Sequence, residues 1–197
     1  MPAPYSIYEG IYKLKPGNIL EVSIDYINDE YKLDPFWTLN EEVSKAKINP
    51  FYGNDQDAIN TLEEKLIKVV NNQMISDVPI GAFLSGGIDS SLIVAIMQSQ
   101  SNMPINTFTI GFNDKFYNEA IYAKEISKKL NTKHTELYID AKQIIDVIDK
   151  LPTIYDEPFA DSSQLPTYML SKLAQQNVSV CLSGDGGDEI FCGYNRY

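Results

Sequence analysis

The sequence has little positive charge. Arg196 is its one arginine, His134 its one histidine, and acidic residues outnumber lysine plus arginine by 27 to 16. A net charge of -11 argues against a nucleic-acid partner, because phosphate backbones are held by clustered lysines and arginines that displace counterions. Cysteine is also scarce. Cys181 and Cys192 have neither metal-ligand spacing nor the regular framework of a disulfide-stapled domain. No apolar run approaches the roughly 18 residues that a membrane-crossing helix requires; the longest lies around Leu92 to Met97. The opening "PAPYSIYEG" has neither the basic region nor the apolar stretch of a secretory signal. These absences predict a cytoplasmic, reduced protein with no nucleic-acid and no membrane partner.

What is there suits a soluble globular chain. At 197 residues, with 44% hydrophobic and 22% charged, it can bury one core and part of another. Residues 1–53 read differently from 54–197. "GIYKLKPGNILEVSI" is two alternating segments around Pro16-Gly17, which predicts a hairpin by turn chemistry, and "YKLDPFWTL" predicts one more extended piece. Strands with no helix to cover them should expose apolar surface, so a missing neighbour is expected beside this tyrosine-rich segment.

From Asn54 the pattern alternates. Ile59, Leu62, Leu66, Val69 and Val70 fall at helical spacing after an N-cap at Asn54 or Asp55. Strands are predicted over 79–84, 105–112, 134–139 and 178–182, and helices over 90–98, 118–130, 141–150 and 165–176. Short, wholly apolar strands separated by helices mean an α/β fold, a parallel sheet with helices on both faces.

The most informative stretch is "IGAFLSGGIDSSLIVAIM". An apolar strand ends in Ser85-Gly86-Gly87, and Asp89, Ser90 and Ser91 open an apolar helix. In an open parallel sheet, ligands bind outside the carboxyl ends of the strands. A helix starting there aims free N–H groups and the positive end of its dipole into the turn. Glycines let the backbone approach phosphate oxygens closely. There is no lysine, so this is not a Gly-x-x-x-x-Gly-Lys-Ser/Thr loop. Asp89 beside an anion implies a divalent cation between them, so Mg²⁺ is expected. A second stretch, "VSVCLSGDGGDEIFCGY", repeats the plan of strand, Leu-Ser-Gly, glycines and acids. Leu84-Ser85-Gly86 and Leu182-Ser183-Gly184 should end two parallel strands on one sheet edge, with Asp89 and Asp188 reaching one metal.

"LSGGIDSS" is similar to the PP-loop of the ATP pyrophosphatases, a Rossmann-like fold. "LSGDGGDEIFCGYNRY" resembles the synthetase domain of glutamine-hydrolysing asparagine synthetases. "YNEAIYAKEISKKLNTKHTEL" and "DEPFADSSQLPTYMLS" fit the same domain, and "SIYEGIYKLKPG" resembles the segment joining that family's glutaminase and synthetase domains. The resemblance implies residues 1–53 as an inter-domain joint and 54–197 as the N-terminal part of an ATP-pyrophosphatase domain. It implies ATP held through Ser85, Gly86, Gly87, Asp89 and Ser90, and Mg²⁺ bound by Asp89 and Asp188. Leu84 and Ile110 would frame the adenine or ribose by backbone contacts, and Ser183 and Gly184 would complete the nucleotide site. Asp185 would assist chemistry at the acceptor. The reaction implied is activation of an aspartate β-carboxylate as an acyl-adenylate, then attack by ammonia from glutamine. ATP, an aspartate-like acceptor and a glutaminase domain are the implied partners, and a homo-oligomer is left open.

Two departures from the family pattern matter. Asp185 stands where many asparagine synthetases have Glu, which looks more like a branch linked to surface polysaccharides, and Cys192 stands where Gly is usual. The family's catalytic cysteine and phosphate-binding lysine have no counterpart, and Lys68 and Lys115 have no motif support. The expectation is therefore a segment truncated at both ends, inactive alone. An alternative is a PP-loop ligase with another acceptor (polysaccharide amidation or β-lactam formation); another is a non-catalytic nucleotide-binding module. Bland roles are expected for several residues: a helix cap for Asn118 and Glu119, a structural role for His134 and a core position for Cys181. Asp161 and Ser162 are open between substrate contact and a turn, and Asp185 between acceptor chemistry and support of the metal.

Overall fold

The computed structural model describes residues 1–22, 31–112 and 118–194. Ser23 and Ile24 of the expected hairpin, Lys115, Tyr117 and Arg196 lie outside the described residues. The chain divides into two compact units, Met1–Ala58 with Pro152–Phe159, and Ile59–Leu151 with Ala160–Tyr197.

In the first unit a hairpin is present, and one arm is the expected segment after Pro16-Gly17, but it pairs with the later extended piece and not with the segment before that turn. Strand β1 (Asn18–Val22) pairs antiparallel with β2 (Tyr31–Pro35), Asn18 opposite Pro35 and Val22 opposite Tyr31. Gly17, at φ +72°, turns the chain so that its carbonyl accepts from Phe36 N (2.8 Å) and Trp37 N (3.2 Å), closing the open end of the ladder. "FWTL" is not extended throughout. Thr38 caps helix α1 (Leu39–Ile48), its side chain accepting from Glu41 N, with Glu41 and Glu42 in the first turn and Lys45 and Lys47 in the last, charges that suit the helix dipole. The expectation of a helix-free start is thereby corrected. Lys13 pairs with Glu157, and Tyr8 Oη donates to the Asp156 carbonyl at 3.1 Å.

Helix α2 (Asp55–Gln73) opens on a reciprocal cap. Asp57 N donates to Asn54 Oδ1 (3.0 Å) and Asn54 N to Asp57 Oδ2 (3.1 Å), satisfying two amides that have no partner within the helix. The second unit is built on four parallel strands: β3 (Ile80–Phe83), β4 (Asn106–Phe112), β5 (Lys133–Ile139) and β6 (Val180–Leu182), in the spatial order β5-β4-β3-β6. Helix α3 (Ile88–Ser99) connects β3 to β4, and α4 (Ala120–Leu130) connects β4 to β5. Helix α5 (Ala141–Ile148), the short α6 (Leu151–Ile154) and α7 (Gln164–Ala174) precede β6, and α8 (Gly187–Phe191) follows it. The strands and longer helices expected from Asn54 onward are all present to within two residues; α6 and α8 were not expected.

Alternation along β3 and β4 sends side chains to two cores. On one face Ala82 and Leu84 pack with Val70 of α2, Val94, Ile96 and Met97 of α3 and Ala123 of α4. On the other, Phe108 packs with Leu173 and Ala174 of α7 and with Val178. Both faces are covered, so the strands need no polar side, which is why they read as apolar runs. From β3 the chain progresses through β4 to β5, whereas β6 lies on the opposite flank of β3. The order reverses between β3 and β6, and a crevice opens there at the carboxyl ends.

Candidate functional site

The crevice is a cavity of about 880 Å³, in the range of small-molecule sites. Leu84, Ser85, Gly87, Asp89 and Ser90 of the first turn line it, together with Ile110 of β4 and Ser183, Gly184, Asp185 and Asp188 of the second turn. Two stretches about a hundred residues apart in sequence therefore meet at one sheet edge. Gly86 does not line it. At φ +88° it turns the chain in the left-handed region, and a Cβ there would lie 2.8 Å from Tyr122 Cβ and 2.9 Å from Ala123 N. Its missing side chain admits α4.

The first turn is tied by its own hydroxyls. Ser85 Oγ and Ser90 Oγ are 2.9 Å apart, Ser85 N donates to Ser90 Oγ (3.2 Å), and Gly87 N donates to Ser85 Oγ (3.2 Å). Ser91 Oγ donates to the Gly87 carbonyl at 2.6 Å. Helix α3 has no side-chain cap at Gly87, and Ile88, Asp89 and Ser90 of its first turn line the crevice. The second turn packs directly onto this helix start: a Cβ on Gly184 would lie 2.7 Å from Ser90 N and 3.0 Å from the Asp89 carbonyl carbon. A Cβ on Gly187 would lie 2.5 Å from Asp89 Cγ and 2.6 Å from Asp89 Oδ2, so the Asp89 carboxylate lies against Gly187. Ser183 Oγ donates to Asp185 Oδ2 (3.0 Å), which orients that carboxylate.

Among the described residues no three Asp, Glu, His or Cys side chains are grouped to hold a metal ion. Mg²⁺ keeps several waters and takes one or two carboxylates plus substrate phosphates. Asp89 and Asp188 could supply that pair. Among the described residues that line the cavity there is no lysine, arginine or histidine.

Sequence reasoning missed several lining residues. Glu119, expected as a cap, is the N-cap of α4 but makes no side-chain cap bond, and its residue lines the cavity. Thr109, 2% exposed, Phe112, Leu170, Phe191 and Gly193 also line it. Their signal was tertiary, since they come from four separate elements. Asp161 and Ser162 do not line it; Asp161 Oδ1 accepts from Ser163 N (2.8 Å), a turn leading into α7 that also holds its carboxyl below the usual range. His134 lies in β5, its Nδ1 2.9 Å from Thr107 Oγ1. Burial pushes the Cys181 thiol up to about 11, so it stays protonated.

A family profile described as asparagine synthase matches residues 61–197. The chain belongs to the asparagine synthase family. A putative glutamine-hydrolyzing asparagine synthetase 2 of Methanocaldococcus jannaschii is 40% identical over 98% of this chain and 36% of its own length. The glutamine-hydrolyzing asparagine synthetase 1 of Bacillus subtilis is 30% identical over all of this chain and 29% of its own. The chain thus spans about a third of the length of these curated relatives. Among solved structures, the NMN synthetase of Francisella tularensis superposes on 68% of this chain and 58% of that one, with a TM-score of 0.49 at 18% identity, a likeness too slight to carry weight. The asparagine synthase match begins within α2 and includes both turns and the whole parallel sheet. No helix among the described residues is long and apolar enough to cross a membrane.

Proposed function

We propose that this chain forms the nucleotide-binding part of an amidotransferase that activates an aspartate-type carboxylate with MgATP and passes it to ammonia derived from glutamine. The observation that carries the reading is the convergence of two glycine-bearing turns, Ser85–Ser90 and Ser183–Asp188, on one cavity at the switch point of a parallel sheet. Ser85, Gly87 and Ser90 would hold the polyphosphate, by hydroxyls and by amides of the turn and of the start of α3, while Gly86 would shape the turn against α4. Leu84 and Ile110 would frame the adenine or ribose through their backbones, with Ser183 and Gly184 completing the site. Asp89 and Asp188 would bind Mg²⁺, which when bound offsets the charge of the departing pyrophosphate. Asp185 would act at the acceptor, oriented by Ser183. Attack of the carboxylate on the α-phosphorus releases pyrophosphate and leaves an acyl-adenylate; ammonia then displaces AMP. The protein's part is placement and charge neutralisation.

A further part of the proposal is that this chain, about a third of the length of its curated relatives, binds MgATP weakly and turns over nothing by itself. Polysaccharide amidation, the second reading, is favoured by one feature only, the shorter acid at Asp185. Titration calorimetry with ATP tests the nucleotide reading. Binding is expected only with Mg²⁺ and is expected to vanish in Asp89→Ala; binding indifferent to both would instead favour a non-catalytic module. Aspartate-dependent pyrophosphate exchange by the chain alone would overturn the claim of inactivity.

A further inference from the structure

The second turn ends in a glycine whose role is not to approach the ligand. Gly193 lines the cavity, and its N–H donates to the Asp188 carbonyl at 3.0 Å. An added Cβ would overlap Asp188 Oδ1 and lie 3.0 Å from Asp188 Cγ and 3.2 Å from Asp188 Cα. The Asp188 carboxylate therefore occupies the space a side chain at 193 would fill. Gly193 is not among the glycines with positive φ, so its backbone would accept alanine without strain. What it cannot accept is alanine together with the present rotamer of Asp188. Relief requires Oδ1 to swing aside, by rotation about the soft χ2 torsion or about χ1, and the 3.0 Å approach to Cγ asks the carboxylate to shift as a whole; either way its present orientation is lost.

We infer that Gly193 is a positioning residue for metal-nucleotide binding: it keeps open the space in which the Asp188 carboxylate lies, and so fixes one of the two acids proposed to bind the metal. This rests on the proposed nucleotide site. Gly187, against which the Asp89 carboxylate lies, gives the same relation on the other acid. The glycines at 187 and 193 would thus set the spacing of the two carboxylates, rather than admit phosphate.

The test is a mutant cycle between Gly193→Ala and Asp188→Ala, read by Mn²⁺ binding in the presence of ATP through water-proton relaxation, a signal that needs no turnover. Loss of an outer positioning group weakens metal affinity by about 10- to 100-fold, and Gly193→Ala in the parent chain is expected to do so. In the Asp188→Ala background the same change is expected to cost nothing further, because the group it displaces is gone. An equal loss in both backgrounds, or no loss in the parent, overturns the inference while leaving the nucleotide reading intact. A parent chain with no ATP-dependent Mn²⁺ signal overturns both. Should Gly193→Ala unfold, recovery of folding on adding Asp188→Ala supports the inference, and failure to recover contradicts it.

Discussion

Cys192 follows α8 at φ +57°, ψ +41°. The left-handed region costs a residue with a Cβ roughly 1–2 kcal/mol relative to its usual backbone, and glycine enters it freely. The family's glycine at this position, noted from the motif alone, thus acquires a physical reason. Cys192→Gly is expected to raise stability by about 0.5–1 kcal/mol, the relief of strain being partly offset by the greater freedom of glycine in the unfolded chain. Urea unfolding should show a higher midpoint with an unchanged slope; a lower midpoint would contradict the account. The same scale explains what the motif could not disclose about the acids. That Asp89 and Asp188 face one cavity could be anticipated from the two Leu-Ser-Gly endings, whereas their packing against Gly187 and Gly193 depends on side-chain rotamers that no spacing encodes.

Strand β5 carries a buried polar contact at its pairing with β4. His134 Nδ1 meets Thr107 Oγ1, which also lies 2.9 Å from Thr132 Oγ1, while His134 Nε2 is buried with no partner among the described residues. Burial lowers the pKa of His134 from its ordinary 6.5; the Lys124 charge lowers it further, and the Glu136 carboxylate, paired with Lys124 at 2.9 Å, opposes both. The neutral ring is therefore favoured in the folded chain, and the unfolded chain binds the proton more readily. His134 stabilises in full above about pH 6.5, and that contribution is lost as pH falls through the folded-state value. Replacing His134 by Gln should flatten the fall in urea midpoint between pH 8 and pH 5; an unchanged slope would remove His134 from the account. Elements of this kind were legible where burial on both sides of the sheet left apolar runs, as in "TFTIGF" of β4. In the first fifty residues the extended segments of β1 and β2 were legible, but helix α1 and the pairing of the strands were not. Helix α1 buries none of its residues, so Leu39, Val43 and Ala46, though at helical spacing, mark no core face, and the β1 ladder is closed by Phe36 and Trp37 bonding to Gly17, a contact across the whole hairpin. Pro16-Gly17 does turn the chain, but a turn signal does not name the strands that pair.

At the scale of the molecule, charge sets the terms. The chain carries a net -11, and the described lining of its cavity presents Asp89, Glu119, Asp185 and Asp188 and no basic residue. A nucleotide polyphosphate is repelled from such a site unless a divalent ion lies between. The turns at the β3 and β6 ends can then act only as a unit: amides and hydroxyls from one, an acid from each. The most direct measurement is a crystal structure of the chain with Mg²⁺ and a non-hydrolysable ATP analogue. The account predicts phosphate oxygens within hydrogen-bond distance of the Ser85–Ser90 turn and a metal ion touched, directly or through water, by both Asp89 and Asp188. A nucleotide bound away from this turn, or a metal reached by neither or only one of the two acids, would contradict it.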